Sequence, residues 1–432
     1  MPRSSTSSRG GHPANALDQV RASQLKRLRE RLPEVLRTNV FYRERLHDVR
    51  TWDDFERLPL LTKDELVADQ VANPPFGSIL TYPLERYARL HQTSGTSGGR
   101  PLRWLDTAES WDWWESIWAG YVYRAAEVTA KDRVFMAFSF GPFIGFWSAF
   151  GGAERLGCLA ISGGAMTTEQ RIHAIMDLAP TVLCCTPTYA LRLAETAREV
   201  GVDVAAAPIR TTIHAGEPGA SIPATKALIE KAYGARCYDH SGMTELGPTG
   251  YECWAGGGLH LIEDEFVFEV IDTDGGEPGV PARSLDRVGW GELVATNLGR
   301  WGSPVIRYRT GDRVQLSRDR CECGSPFAKL VGGIRGRVDD MFTVRGVNLY
   351  PSQVEAIVRR HPEVVEYVIE RRRLREMDEV TLLLELSDGA AAAVDAIASE
   401  LRLALGARIE CRAVPTGTLP RADLKAKRLR DA

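Results

Sequence analysis

With 432 residues, 44% of them hydrophobic, the chain is long enough for two to four domains with substantial cores. Its formal net charge of −3 argues against a nucleic-acid binder, which carries a basic excess, and no run of about 18 apolar residues offers a membrane span. Eight cysteines without an apolar leader do not make a secreted disulfide framework, so a reducing, cytoplasmic setting is expected.

Residues 1–15, rich in serine, read as a disordered tail. From about 16 to 50 the spacing of Leu25, Leu28, Leu32, Val35 and Leu36 predicts helix, with Pro33 splitting or kinking it. Between about 105 and 240, helical patterns alternate with the apolar runs Val134–Phe138, Cys158–Ile161, Thr181–Cys185 and Arg210–Ile213, which predicts crossover units and a parallel sheet. Strand patterns such as Phe266–Ile271 and Gly291–Thr296 then mark a β-rich subdomain over about 260–335. After Asp339 the order is strand, helix, strand, strand, helix, strand, with strands near 364–371, 378–386 and 408–413 and the second helix opened by Ala390–Ala393. The expected architecture is α/β: a large N-terminal domain over 16–338 and a small α+β C-terminal domain over 339–432.

Within this frame, His91–Pro101 concentrates donors. Gly95, Gly98 and Gly99 let backbone amides approach anionic oxygens, the hydroxyls of Thr93, Ser94, Thr96 and Ser97 add donors, and Arg100 supplies charge. The run is a candidate phosphate loop without the Walker spacing. Tyr238–Gly247 sets an aromatic before a small-residue turn and then Thr244 and Glu245, oxygen ligands suited to Mg2+. In Arg307–Asp312 a carboxylate after a glycine turn suits ribose hydroxyls, and Gly336–Pro351 carries Arg337, Asp339 and Gly346.

Taken together, and in this order, these motifs resemble the adenylate-forming acyl- and aryl-CoA ligases, above all the phenylacetate-CoA ligases. The match begins at Phe41-Tyr42-Arg43-Glu44-Arg45, continues through Leu58-Pro59-Leu60-Leu61-Thr62-Lys63-Asp64 and ends at Leu419–Arg428, about nine tenths of the chain. The resemblance implies ATP, Mg2+ and coenzyme A as reactants and cofactors, with a carboxylic acid as substrate. Thr93, Ser94, Gly95, Thr96, Ser97, Gly98, Gly99 and Arg100 would close over the phosphates, Arg100 standing where the family more often has lysine. Gly216, Glu217 and Pro218 would line the adenine, Tyr238 would stack on it, Asp312 would hold the ribose, and Arg337 would reach ribose or phosphate. Thr244 would touch phosphate and Glu245 would hold Mg2+. Lys425 would enter the site for adenylation, although Leu424 replaces the glycine that commonly precedes it and Lys427 lies two residues on. Asp339 would be the hinge of a mobile C-terminal domain, and Gly346 would line the coenzyme A tunnel.

Phe138, Phe140, Phe143 and Phe146, on a segment broken by Ser139, Gly141, Pro142 and Gly145, are candidates for an acyl pocket that takes a planar, apolar acid, with no obvious cation nearby to select a second carboxylate. Cys253, His260, Cys321 and Cys323 could close a tetrahedral structural zinc site, despite the tight C-x-C spacing; similar clusters occur in some relatives. Cys158, Cys184, Cys185, Cys237 and Cys411 read as buried small hydrophobes. Two other readings stand beside the CoA ligase: an adenylate-forming enzyme with another acceptor (a carrier-protein thiol or an amine) or an adenylyltransferase, and a degenerate binding protein. The sequence leaves a homodimer open and does not identify the acid.

Overall fold

Leucines and valines at helical spacing on an otherwise charged segment give α1 (Pro13–Thr38), whose Leu28, Leu32 and Val35 are buried in the main core. In this computed structural model the described residues are 13–93, 101–142, 144–145, 147–271, 288–344, 347–374, 377–387, 389–421 and 428–431. The helix runs through Pro33 rather than splitting there. Pro33 is on the exposed face, where water can serve the carbonyl it leaves unpaired, while Leu32 and Val35 fix the turns on either side. The Gln24 amide donates to the carbonyls of Glu263 and Phe266, both at 2.7 Å, and so ties this helix to the distant strand-rich half.

Short helices α2 (Val40–Arg43), α3 (Trp52–Glu56) and α4 (Lys63–Ala72) follow, the last two opened by capping boxes at Thr51 and Thr62. A hairpin of β1 (Tyr87–Gln92) and β2 (Arg103–Thr107) leads into α5 (Ala108–Ile117). The expected crossover region is β3 (Arg133–Met136), α6 (Trp147–Leu156), β4 (Leu159–Ser162), α7 (Thr168–Leu178), β5 (Val182–Cys185), α8 (Pro187–Glu199), β6 (Thr211–His214), α9 (Pro223–Tyr233) and β7 (Arg236–Met243). Its strands run parallel in the order β4-β3-β5-β6-β7. The apolar runs of the central strands β3 and β5 are explained by burial on both faces, whereas the edge strand β4 is exposed at both ends.

At β7 the sheet changes character. A turn at 244–246 returns the chain as antiparallel β8 (Gly247–Glu252), and the sheet continues through β9 (Gly258–Leu261), β10 (Phe266–Ile271), β11 (Gly289–Asn297), β12 (Tyr308–Ser317), β13 (Lys329–Val331) and β14 (Gly336–Arg337), all antiparallel. Residues 244 and 245 therefore sit where the parallel half meets the antiparallel half.

The C-terminal module has its own core, built on Val354, Ile357, Tyr367, Leu382, Leu384, Ile397 and Leu401. It comprises β15 (Phe342–Val344), β16 (Val347–Leu349), α10 (Pro351–Val358), β17 (Val364–Leu374), β18 (Met377–Leu386), α11 (Ala393–Leu405), β19 (Glu410–Val414) and β20 (Leu429–Asp431), with a sheet in the order β19-β18-β17-β20. The second helix begins at the last of the four alanines rather than the first. Among the described residues, contacts that seat the module on the main body include Thr225 donating to Glu355 Oε1 at 3.1 Å, the Ser352 hydroxyl donating to the Arg335 carbonyl, and Arg421 3.6 Å from Glu195.

Candidate active site and metal cluster

Glu245 is buried on the turn between β7 and β8, and the backbone of that turn is held by two side chains, Arg300 and Asn297, the latter donating from Nδ2 to the Leu246 carbonyl at 3.2 Å. Arg300, fully buried, donates from Nη1 to the carbonyls of Thr244 at 2.6 Å and Glu245 at 3.1 Å. The rest of its guanidinium makes a bidentate pair with Asp106, both bonds 2.7 Å, between the rings of Trp104 and Trp114 at 5.1 and 5.2 Å. Asp106 belongs to β2, and His91 of β1 brings Nδ1 to 3.9 Å from it. Burial alone would raise the Asp106 carboxyl, but Arg300 and His91 outweigh it and hold the group below its ordinary 3.8. A buried ion pair thus joins β2, the strand that leaves the phosphate loop, to the turn that carries Glu245.

On the other side of Glu245 stands Lys63, its Nζ 3.8 Å from Oε1. The sequence offers no local reason for this proximity. It follows from Leu61, which donates to the Arg307 carbonyl and accepts from Arg309, both at 2.8 Å, and so lays residues 58–62 along β12. Arg307, with φ of 50° and paired to Glu269 at 2.7 Å, reinforces this through bonds to the carbonyls of Glu56 and Leu58. Asp312 and Arg337, expected apart in sequence, are register partners on β12 and β14, with Nη1 3.6 Å from Oδ1. Gly311, at φ 75°, makes this approach feasible, since a Cβ there would lie 2.7 Å from Arg337 Nη2. The buried Tyr308 phenol feels the charges of Glu245, Arg337 and Asp312 together. Burial, with Glu245 adding to it, pushes that phenol well above its usual range.

Thr93 ends the described stem of the phosphate loop. Its hydroxyl accepts from the Leu102 amide at 3.0 Å and its own amide donates to the Leu102 carbonyl at 2.9 Å, so Thr93 closes the base of the loop. Ser94, Gly95, Thr96, Ser97, Gly98, Gly99 and Arg100 lie outside the described residues. Gly216, at φ 97°, and Pro218 are exposed, and Glu217 between them accepts from the Thr188 amide at the start of α8 at 2.9 Å. Tyr238, expected to stack on the adenine, lies within β7 of the main body. It is 3% exposed, packed in the main core, with its ring 5.6 Å from the Arg236 guanidinium and its hydroxyl without a hydrogen-bond partner. It is one of five consecutive buried residues, 237–241, in β7. The next residue, Asp239, was not singled out by the sequence. Burial pushes it up to about 7, against the bond from Ser221, with Glu252 adding to the rise. Only folding places it beside Ser221 and the Glu252–Lys226 pair.

The segment after β3 touches the loop stem, as the Gln92 amide donates to the Pro142 carbonyl at 2.8 Å. Phe138 is buried, and Gly145, at φ 38°, passes so close that a Cβ would stand 2.2 Å from its ring. Phe140 is half-buried, stacked edge-on against Trp147 at 4.6 Å. Phe143, Phe146, Gly346, Lys425, Lys427 and the side chain of Asp339 lie outside the described residues. The described residues flanking Lys425 are Arg421, on Glu195 of α8, and Arg428, whose guanidinium feels the Glu217 carboxylate.

Cys253, His260, Cys321 and Cys323 converge, with all four donor atoms within 4.8 Å of one another. Sγ of Cys253 and Cys321 are 3.6 Å apart and Cys323 Sγ is 3.3 Å from His260 Nε2. A tetrahedron with Zn–S near 2.3 Å and Zn–N near 2.0 Å has edges of roughly 3.7 and 3.5 Å, so the set fits zinc. His260 Nδ1 is engaged by the Phe327 carbonyl at 3.2 Å, which turns Nε2 toward the thiols, and burial lowers its pKa so that the ring is neutral. Among the other cysteines, Cys158, Cys184, Cys185 and Cys237 are buried and Cys411 half-buried.

Comparison with known proteins places this geometry. A profile described as the AMP-binding enzyme C-terminal domain matches residues 346–432. The chain is 34% identical over 385 residues to a phenylacetate-coenzyme A ligase of Thermus thermophilus, covering 86% of this chain and 82% of that one. It is 30% identical over 436 residues to the phenylacetate-coenzyme A ligase of Escherichia coli, covering 96% and 95%. Among solved structures, 2-hydroxyisobutyryl-CoA ligase in its postadenylation state superposes with a TM-score of 0.89 at 29% identity, covering 96% of this chain and 90% of that chain. In its thioesterification state, with 2-HIB-AMP and CoA, that ligase gives a TM-score of 0.71 at 30% identity, covering 96% and 90%.

Proposed function

The chain belongs to the phenylacetate-coenzyme A ligase family of adenylate-forming enzymes, and from that membership we propose that it activates an aromatic or related apolar carboxylic acid with ATP and passes the acyl group to coenzyme A. It is an AMP-forming acid–thiol ligase. In the first step a carboxylate oxygen attacks the α-phosphorus and pyrophosphate leaves. In the second the sulfur of coenzyme A attacks the acyl carbon, AMP leaves, and the thiol proton passes to solvent. The protein supplies position and charge for both.

The observation that carries this reading is that Glu245, Asp312 and Arg337 all act on the buried Tyr308 phenol, with Lys63 Nζ 3.8 Å from Glu245 at the junction of the two half-sheets. Asp312 would accept from the ribose hydroxyls, Arg337 and Lys63 would neutralise phosphate oxygens, and the phosphate loop, Thr93 through Arg100, would close over the rest. Glu245 would hold Mg2+, a hard cation that screens the phosphates when bound. Lys425 would balance charge between carboxylate and α-phosphate. Rotation of the C-terminal module about Asp339 would then replace it with the tunnel at Gly346. The higher similarity to the postadenylation state than to the thioesterification state supports a module seated for the adenylation half of such a cycle. The four-ligand Cys/His cluster would hold a structural zinc ion, closed to substrate.

A second acceptor is favoured by one observation. The chain is 27% identical over 236 residues to a fatty acid–[acyl-carrier-protein] ligase of Streptomyces coeruleorubidus, covering 49% of this chain and 41% of that protein. AMP release measured across a panel of aromatic acids, with coenzyme A, with a holo-carrier protein and with neither, tests both. Thioester formed on coenzyme A supports the proposal, and AMP release dependent on the carrier alone overturns it.

A further inference from the structure

Among the described residues, the buried arginines follow a rule with one exception. Arg300, Arg307 and Arg359 each face a carboxylate, those of Asp106, Glu269 and Glu366. Arg171, in the first turns of α7 and only 4% exposed, does not. Its Nε donates to the Gly163 carbonyl at 2.9 Å, and its Nη2 reaches Ser139 Oγ at 3.4 Å and the Gly164 carbonyl at 3.5 Å. Its guanidinium lies 5.0 Å over the ring of Tyr189. All of these partners are neutral, and among the described residues no carboxylate forms an ion pair with it. A buried cation without a counter-charge is costly, by several kcal/mol in an apolar interior, and natural interiors pair such groups.

Its position suggests what completes the pair. Gly163 and Gly164 follow β4 and Ser139 follows β3, so the guanidinium lies at the carboxyl ends of parallel strands, where open α/β sheets take their ligands. Ser139 is exposed and Gly164 half-exposed, which sets the Nη2 edge just beneath the surface. Phe138 and Phe140 flank Ser139, and a Cβ on Gly164 would stand 2.7 Å from the Phe140 ring. The absence of an obvious cation near the aromatic segment, read from the sequence, is therefore corrected by the fold, because Arg171 is distant in sequence and brought there by α7.

We propose that Arg171 anchors an anionic oxygen group, a carboxylate or a phosphate, at the end remote from the reacting atom of one of the two organic substrates. It relies on the ligase reading only for the identity of those substrates, the acid and coenzyme A. A guanidinium presents a planar fork that a carboxylate or phosphate matches, and a hydrogen-bonded charge pair formed on binding gives about 10- to 100-fold in affinity.

The test compares matched probes on the full chain: coenzyme A against dephospho-CoA, and para-carboxyphenylacetate against phenylacetate. Equilibrium binding by calorimetry and KM for each half-reaction are read for wild type, Arg171→Met and Arg171→Lys. If the anion is the phosphate, wild type favours coenzyme A over dephospho-CoA by about 10-fold or more, Arg171→Met removes that preference, and Arg171→Lys restores part of it. If it is a second carboxylate, the same pattern appears in the acid pair. Wild type without a charge preference in either pair overturns the proposal and needs no variant. A preference that survives unchanged in a folded Arg171→Met also overturns it. Absence of ATP- and CoA-dependent turnover would instead count against the ligase reading, while the binding comparison would still decide the anion site.

Discussion

Arg300→Met removes one partner of the most deeply buried ion pair and tests whether that pair positions Glu245. Both members are 0% exposed, so the substitution leaves the Asp106 carboxylate without a counter-charge and frees the carbonyls of Thr244 and Glu245. Breaking a buried pair from one side costs about 3–5 kcal/mol. The sign of the pH dependence follows from Asp106. In wild type its carboxyl is held below 3.8, so its contribution is present above that value and is lost as pH falls through the lower folded value. In the variant only His91 remains to oppose burial, so the carboxyl rises and the folded variant takes up a proton before the unfolded chain does. The stability gap should therefore be largest near neutral pH and shrink toward about pH 4. Guanidinium unfolding at a series of pH values measures the gap, and the KM for MgATP measured beside it should rise more than the KM for coenzyme A. A gap below about 1 kcal/mol, a gap independent of pH, or equal rises in both KM values would refute the reasoning.

Three further outcomes are expected. Protein purified without chelator should carry close to one zinc per chain by metal analysis, and Cys321→Ser should lower both zinc content and Tm, since a structural site contributes its binding energy to folding. Lys425→Ala should nearly abolish adenylate formation yet still convert pre-formed acyl-adenylate and coenzyme A to thioester, while Asp339→Pro should do the reverse because a fixed φ resists rotation; parallel losses in the two half-reactions would contradict a rotating module. Phe140→Ala should weaken or broaden acid selection with ATP affinity nearly unchanged, and equal losses for acid and ATP would make the segment a packing element rather than a pocket wall.

Local pattern was enough to read the alternation of β3–β7 with helices, because strands buried on both faces must be apolar throughout and the crossovers must be amphipathic. It was enough for the alternation of helices and strands through most of the C-terminal module, though not for the second strand before α10 or for β20, and for the four cysteine and histidine residues that converge, whose chemistry is rare enough to stand out across a gap of some sixty residues. Pro33 and Tyr238 show where local reasoning stops. The helix continues through the first because of the packing of its neighbours, and the second is buried by the sheet around it, neither of which is a property of the residue itself. Lys63, Arg300 and Arg171 were invisible as site residues for a common reason. Each is an ordinary cation in its own segment, and its meaning lies in a partner far along the chain: Glu245 for the first, Asp106 with two turn carbonyls for the second, and for the third a set of neutral neighbours that leaves its charge unmatched. The sequence by itself determined which chemistry the chain carries, since hydroxyls, glycines and carboxylates in that order serve adenylate formation. Only the tertiary structure decided which charges face one another, because electrostatic pairing depends on distance through space, and strand pairing across hundreds of residues sets that distance.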